Sequence, residues 1–400
     1  MFSARFRTSS SSRTATEIRR DRRPSVRSVA IVVAVAALGA ACRPGLNSPN
    51  LTTPPVGHVS GATVAARAGL APGPGILWES DAELAADMDG IKNAGATWLP
   101  IDIDWNSIQG DGPASFRWDR GLDRAVLAAR ARGLNIIGMA AYAPPWARGS
   151  NCPPGEGHCL PANADDFARF VTAAAQRYGT HSSNALLRGT ITAWQLWNEP
   201  NHQEFAMPKP DPDLYAAMVK SSYAGIKYAD PAATVITGGT APAPNAADGT
   251  DYTPETWLRG LYARGAGGSF DAVGHHPYSF PTNPLESHSW NAFSQTLTLH
   301  AVMVANGDGN KKIWGTEMGG ATGSDGGVLT EAQQAQWVHD YYSGWIQMFG
   351  GFTGPLVWME LKDSGTNVGF KWDNLGLLHH DRRPKPAYGA YQRVMANGLG

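Results

Sequence analysis

Two glutamates each close an apolar run: Glu199 follows Trp194-Gln195-Leu196-Trp197-Asn198, and Glu317 follows Ile313-Trp314-Gly315-Thr316. Two carboxyls facing each other about 5 to 5.5 Å apart can split a glycosidic bond, one as acid and one as nucleophile. Around them stand groups suited to a polyhydroxylated substrate or to tuning a carboxyl: Asn198, the triplet His276-Pro277-Tyr278, Thr316 and Trp358. Glu79, Asp102, Asp104, Tyr142 and Glu360 also end apolar runs. The four carboxylates among them read as hydrogen-bonding neighbours or substrate contacts rather than catalysts. Trp105, Trp146 and Trp372 offer a flat apolar face and one N–H donor, which suits outer sugar positions and core packing equally. The pairs His275-His276 and His379-His380 raise the question of a metal. Adjacent histidines on a strand point to opposite faces, and no H-x-x-x-H or cysteine cluster accompanies them, so neither metal nor cofactor is expected.

Such side chains need rigid elements to aim them. From about Gly73 onward short apolar runs alternate with amphipathic patterns, the signature of parallel βα units. The predicted strands are Gly75–Glu79, Thr97–Asp104, Asn135–Tyr142, Ile191–Asn198, Thr234–Gly239, Phe270–His276, Lys312–Glu317 and Pro355–Leu361. Helix starts lie between them: Ser80-x-x-Glu83 and Thr330-x-x-Gln333 are capping boxes, and Asp211-Pro212 and Thr253-Pro254 set a cap before a first-turn proline. Eight such units without an internal repeat predict an α/β fold, a single (β/α)8 TIM barrel over residues 73–400. A doubly wound open sheet is the competing architecture, weakened because no G-x-G-x-x-G follows the first run. In a barrel the strand-end residues gather at one mouth, with the fourth and seventh strands facing each other.

Taken together, Trp197-Asn198-Glu199-Pro200-Asn201, His276-Pro277-Tyr278, Thr316-Glu317 and Trp358 make the chain resemble a retaining glycoside hydrolase of clan A, in particular families 39 and 5. The likeness spans roughly residues 75–395. It implies hydrolysis of β-O-glycosidic bonds in an oligo- or polysaccharide through a covalent glycosyl-enzyme, without a cofactor. Glu199 would be the acid/base and Glu317 the nucleophile, kept ionised by donors or cations. Asn198 would contact the sugar 2-hydroxyl, Tyr278 would bond the nucleophile, His276 would line the same position, and Trp358 would be the platform under the reacting sugar. One departure stands out. The family carries an arginine in the second strand that braces the nucleophile, and here Trp98-Leu99-Pro100-Ile101-Asp102 has Pro100 in that place. A transglycosylase using the same residues and a non-catalytic carbohydrate-binding barrel remain open alternatives. So do the sugar, the linkage and endo versus exo action.

The chain has 400 residues, 33 Lys+Arg against 34 Asp+Glu, 17% charged and 42% hydrophobic residues, and 3 Cys. So balanced and weakly charged a composition excludes a disordered chain and a nucleic-acid binder, and three cysteines cannot staple a fold of this size. Eight arginines precede residue 28, then an apolar run Val29–Leu38 leads to Gly39-Ala40-Ala41-Cys42. That is the pattern of an export signal over residues 1–42, followed by a Pro/Gly/Ala-rich linker over 43–72. Leu38 sits one position too far upstream for a lipoprotein box, so lipidation at Cys42 and plain cleavage both stay open. Secretion or attachment to the cell envelope is expected. Any membrane contact would run through that lipid, and oligomeric state is not legible. In an exported protein the pair Cys152 and Cys159, in one Pro/Gly-rich loop, reads as a disulfide; a metal site with His158 is the rival and lacks ligands.

Overall fold

The computed structural model describes residues 57–325 and 327–400, so the expected export signal at 1–42, Cys42 and linker residues 43–56 lie outside the described residues. Among the described residues eight parallel strands close into a barrel in sequence order. They are β1 (Ala68–Leu70), β2 (Trp98–Asp104), β3 (Asn135–Ala141), β4 (Ile191–Asn198), β5 (Thr234–Gly239), β6 (Ala272–His275), β7 (Lys312–Met318) and β8 (Thr353–Trp358). Helices between them form the outer layer, and the open-sheet alternative falls. No helix among the described residues is long and apolar enough to cross a membrane.

The first strand departs from the sequence reading. It is Ala68–Leu70, inside the segment taken as linker, while Gly75–Glu79 forms turns and a bend. Three residues of Ala-Gly-Leu are too short and too small to register as an apolar run. Gly69 is required there, because a Cβ would fall 2.7 Å from Val357 Cγ2 of β8. Register runs Ala68↔Leu356, Gly69↔Val357, Leu70↔Trp358 to β8, but only Gly69↔Trp98 to β2. From that point β2 has a free edge toward β1, the setting in which a proline without an N–H is tolerated.

The helix starts form as their chemistry dictates. Ser80 and Thr330 close capping boxes with Glu83 and Gln333, and Asp211 and Thr253 cap helices Pro212–Ala229 and Pro254–Ala263. Strand alternation sorts the side chains. On β2, Leu99, Ile101 and Ile103 are buried against the helices, whereas Trp98, Pro100, Asp102 and Asp104 take the other face. That face is the lumen, because the rings of Trp98 and Trp314 meet edge-on at 5.2 Å although β1 and β8 separate their strands. Above these rings the lumen is filled by Ala71, Ile137, Ala193, Ile236, Ala272 and Val357, with Met359 beside them.

Candidate active site

Chemistry collects where β4, β6 and β7 end. Glu199 has a left-handed backbone (φ 41) and Trp197 another (φ 75). Non-glycine residues hold such angles only where the surroundings over-determine them. The Glu199 N–H donates to Gly239 O at 3.0 Å, which fixes the turn. Its carboxyl is buried, with Oε1 2.8 Å from His276 Nδ1 and Oε2 without a protein partner. Glu317 stays partly exposed. Tyr278 donates its hydroxyl to Glu317 Oε2 at 3.2 Å, and His276 Nε2 stands 3.6 Å from Oε1. One oxygen of each glutamate and one ring nitrogen of His276 lie within 4.8 Å of one another.

Gly239 makes this packing feasible, since a Cβ there would fall 2.1 Å from His276 Nε2 and 2.6 Å from Thr316 Oγ1. Asn198 pairs with Gly239 in the β4–β5 register, and its buried Oδ1 has no partner. The two neighbouring histidines divide as strand alternation requires. His275 points out, bonded to Thr240 Oγ1 at 2.9 Å and Ala292 O at 2.8 Å, and burial pushes its pKa down to about 4. His276 points in. Burial opposes its charge, but Glu317 and Glu199 outweigh that and raise its pKa.

The expected bracing of Glu317 is not met. Burial and the neighbouring Glu199 raise its pKa, against His276 and Tyr278, which lower it. Burial is the largest of these causes; Pro100 puts no cation on the lumen face of β2, and among the described residues His276 is the one ion-pair neighbour of Glu317. Higher on β2, Asp104 caps the short helix Trp105–Gln109 through Ser107 N and Oγ at 3.0 and 2.8 Å. Burial, then Asp104 and Glu317, push Asp102 up to about 7.

Three of the aromatic candidates pack in the protein. Trp358 turns outward, its ring edge-on to Tyr341 of helix Glu331–Ser343 at 6.1 Å and its Nε1 donating to Leu375 O. It cannot be the platform, because Val357 and Met359 hold the inward positions on either side. Trp105 is fully buried, stacked on Phe170 at 5.4 Å with Nε1 donating to Gln109 Oε1 at 2.6 Å, so it offers no face to a ligand. Trp372 is buried against Phe280. Trp146 keeps a partly exposed ring, tethered through Nε1 to Gln109 O at 2.7 Å. Glu79 is engaged with Lys362 at 2.8 Å, and burial pushes Glu360 up to about 8.

Cys152 and Cys159 form the expected disulfide, with Cα atoms 5.8 Å apart. It fixes the loop bearing His158, whose ring stacks on Phe205 at 4.9 Å and faces Tyr142 at 5.2 Å. Sequence reasoning missed His202. Burial opposes its charge, but Glu204, Glu199 and Asp251 together push its pKa up to about 9, so its imidazole is a further group acting on Glu199. Its place three residues after Glu199 was the available signal. Glu199, His276 and Glu317 are also a donor set of the kind that ligates a divalent ion. His276 Nδ1 is taken up by Glu199, while its Nε2 faces Glu317 at 3.6 Å.

No family model and no curated protein matches the chain. Solved structures do. A family 39 glycoside hydrolase from Bacteroides cellulosilyticus superposes with TM-score 0.65 at 21% identity, over 83% of this chain and 63% of that one. The chain thus spans under two thirds of that enzyme's length. This chain has the fold of glycoside hydrolases of families 39 and 5. A monomeric β-xylosidase from Caulobacter crescentus gives TM-score 0.62 at 16% identity over 86% and 70% of the two chains. A family 5 subfamily 18 enzyme from Streptomyces cattleya, in complex with Manβ1-4GlcNAc, gives 0.57 at 17% over 82% and 80%.

Proposed function

We propose that the protein is a retaining β-glycosidase acting on an oligo- or polysaccharide by double displacement. The observation that carries this reading is the approach of one Glu199 oxygen and one Glu317 oxygen to within 4.8 Å. Retaining glycosidases hold their carboxyls about 5 to 5.5 Å apart, while inverting ones leave about 6.5 to 9.5 Å for a water. A Glu317 oxygen attacks the anomeric carbon while Glu199 protonates the leaving oxygen. Glu199 Oε1 is occupied by His276, so Oε2, buried and unpartnered, is the oxygen that carries the proton. In the second step Glu199 takes a proton from water, which attacks the anomeric carbon and releases Glu317. The Tyr278 hydroxyl steadies the charge returning to Glu317. The disulfide supports an extracytoplasmic workplace, in line with the arginine-rich leader.

The test is product release from a panel of β-linked glycans and aryl β-glycosides by the parent, Glu317→Gln and Glu199→Ala. Parent turnover, its loss by at least about a thousandfold in Glu317→Gln, and azide rescue of Glu199→Ala giving a β-glycosyl azide are expected. A product of inverted configuration from the parent refutes the retaining mechanism. Glycan binding without turnover would instead identify a carbohydrate-binding barrel, the reading that Pro100 favours.

A further inference from the structure

Three ligand atoms converge at the mouth. One oxygen of Glu199, one of Glu317 and one ring nitrogen of His276 lie within 4.8 Å of one another, and among the described residues no other group of three His, Cys, Asp or Glu side chains does so. The Glu199 and His276 side chains are buried, while Glu317 keeps 16% of its surface open to the mouth. Glu199 Oε2 and His276 Nε2 have no hydrogen-bond partner. Glu199 Oε1 lies 2.8 Å from His276 Nδ1. When Nδ1–H donates to that oxygen, the neutral ring carries its lone pair on Nε2, which stands 3.6 Å from Glu317 Oε1. A carboxylate behind one ring nitrogen and a lone pair on the other is the arrangement of a metal-ligating histidine, whose tautomer and aim that second bond fixes. Ligands about 2.0 to 2.2 Å from a tetrahedral zinc ion stand about 3.3 Å from one another, close to the spacing of Nε2 and Oε1. Spacing along the chain hides the set, because its members come from the ends of β4, β6 and β7.

One imidazole with two carboxylates suits zinc and its transition-metal neighbours, whereas magnesium and calcium favour oxygen ligands alone. We propose that Glu199, His276 and Glu317 form a binding site for a divalent transition-metal ion of the zinc class, and that the ion inhibits the enzyme. The site stands on the geometry of the trio, and the inhibition rests on the glycosidase reading. The ion takes the place of the proton on Glu199 Oε2 and of any proton on His276 Nε2, so it competes with protons as well as with substrate. A Glu317 oxygen held by a metal does not attack an anomeric carbon. A Glu199 carboxylate held by a metal has no proton to give the leaving oxygen.

The experiment titrates zinc chloride into the chelator-stripped full chain by calorimetry near neutral pH, with magnesium chloride as the comparison. One zinc ion per chain is expected, bound at least about tenfold more tightly than magnesium. Glu317→Gln and His276→Gln, each checked for folding by circular dichroism, should weaken zinc by at least about tenfold. His379→Gln removes an exposed histidine 3.4 Å from Glu331 and should leave the affinity unchanged. Zinc should also raise the melting temperature of the parent and not that of Glu317→Gln. In turnover of an aryl β-glycoside, zinc should compete with substrate at an inhibition constant equal to its calorimetric Kd, and a chelator should restore the rate. Zinc binding that survives in folded Glu317→Gln and His276→Gln, or no binding to the parent, overturns the site and leaves the glycosidase standing. Turnover lost on chelation and regained with zinc overturns the inhibition. A parent that cleaves no glycoside yet binds zinc through the trio refutes the glycosidase reading and upholds the metal site.

Discussion

At the scale of residues, the decisive substitution is Pro100. With no cation in the lumen of β2, burial and Glu199 hold the Glu317 pKa above the ordinary carboxylate range. The nucleophile must be ionised to attack, so kcat/KM should fall as pH drops through that raised value, at a higher pH than a solvated glutamate would give. Pro100→Arg favours the ionised form and should move this acid limb to lower pH, checked by pH–rate profiles on one uncharged aryl glycoside. An unmoved limb in a folded variant would free Pro100 of responsibility. Both glutamates were legible because each directly ends an apolar strand, and the deviation at Pro100 was legible against the family pattern. Its electrostatic consequence was not, because desolvation and the distance to His276 are three-dimensional quantities.

At the scale of elements, the site depends on how closely β5 approaches β6 and β7. Gly239 has no Cβ, and one would intrude 2.1 Å from His276 Nε2 and 2.6 Å from Thr316 Oγ1. Both atoms belong to side chains packed in the site, so Gly239→Ala is expected to push His276 off Glu199. A displacement of about 1 Å can cost about a hundredfold in rate. The measurement is kcat/KM together with the melting temperature: a large rate loss with a small thermal shift locates the damage at the mouth, and unchanged kinetics would show that His276 need not sit where it does. β4 and β5 were read from sequence with their observed ends because long β-branched and aromatic runs stop at glycine or at a polar residue. Trp358 was misread for a reason of the same scale. Inward or outward facing turns on parity along β8, and the β7–β8 ladder shifts register twice, so counting from the strand-end glutamate does not carry across.

For the whole molecule the question is where the barrel begins. A boundary at Gly73 places β1 outside the fold, yet Ala68–Leu70 bridges β8 and β2, and Arg67 Nε donates to Gly354 O at 3.3 Å. Upstream, Val59 pairs antiparallel with Leu399, their N–H and C=O groups exchanging bonds of 2.8 and 2.9 Å. Gly61 lies so close to helix Pro386–Asn397 that a Cβ would meet Ala396 O at 2.3 Å. Val64 and Leu70 are fully buried, and each such side chain contributes about 1.5 to 3 kcal/mol. Losing both removes a large share of the about 5 to 15 kcal/mol that holds a domain folded, and it also leaves β2 and β8 with unpaired edges. A chain beginning at Gly73 is therefore expected to aggregate or to melt without a cooperative transition. One beginning at Gly57 should match the full chain in melting temperature and turnover. Thermal melts monitored by circular dichroism, with aryl-glycoside turnover alongside, separate the two. A cooperative and active Gly73 chain would mean that seven strands close this barrel without β1, contrary to the register that β1 supplies on both sides.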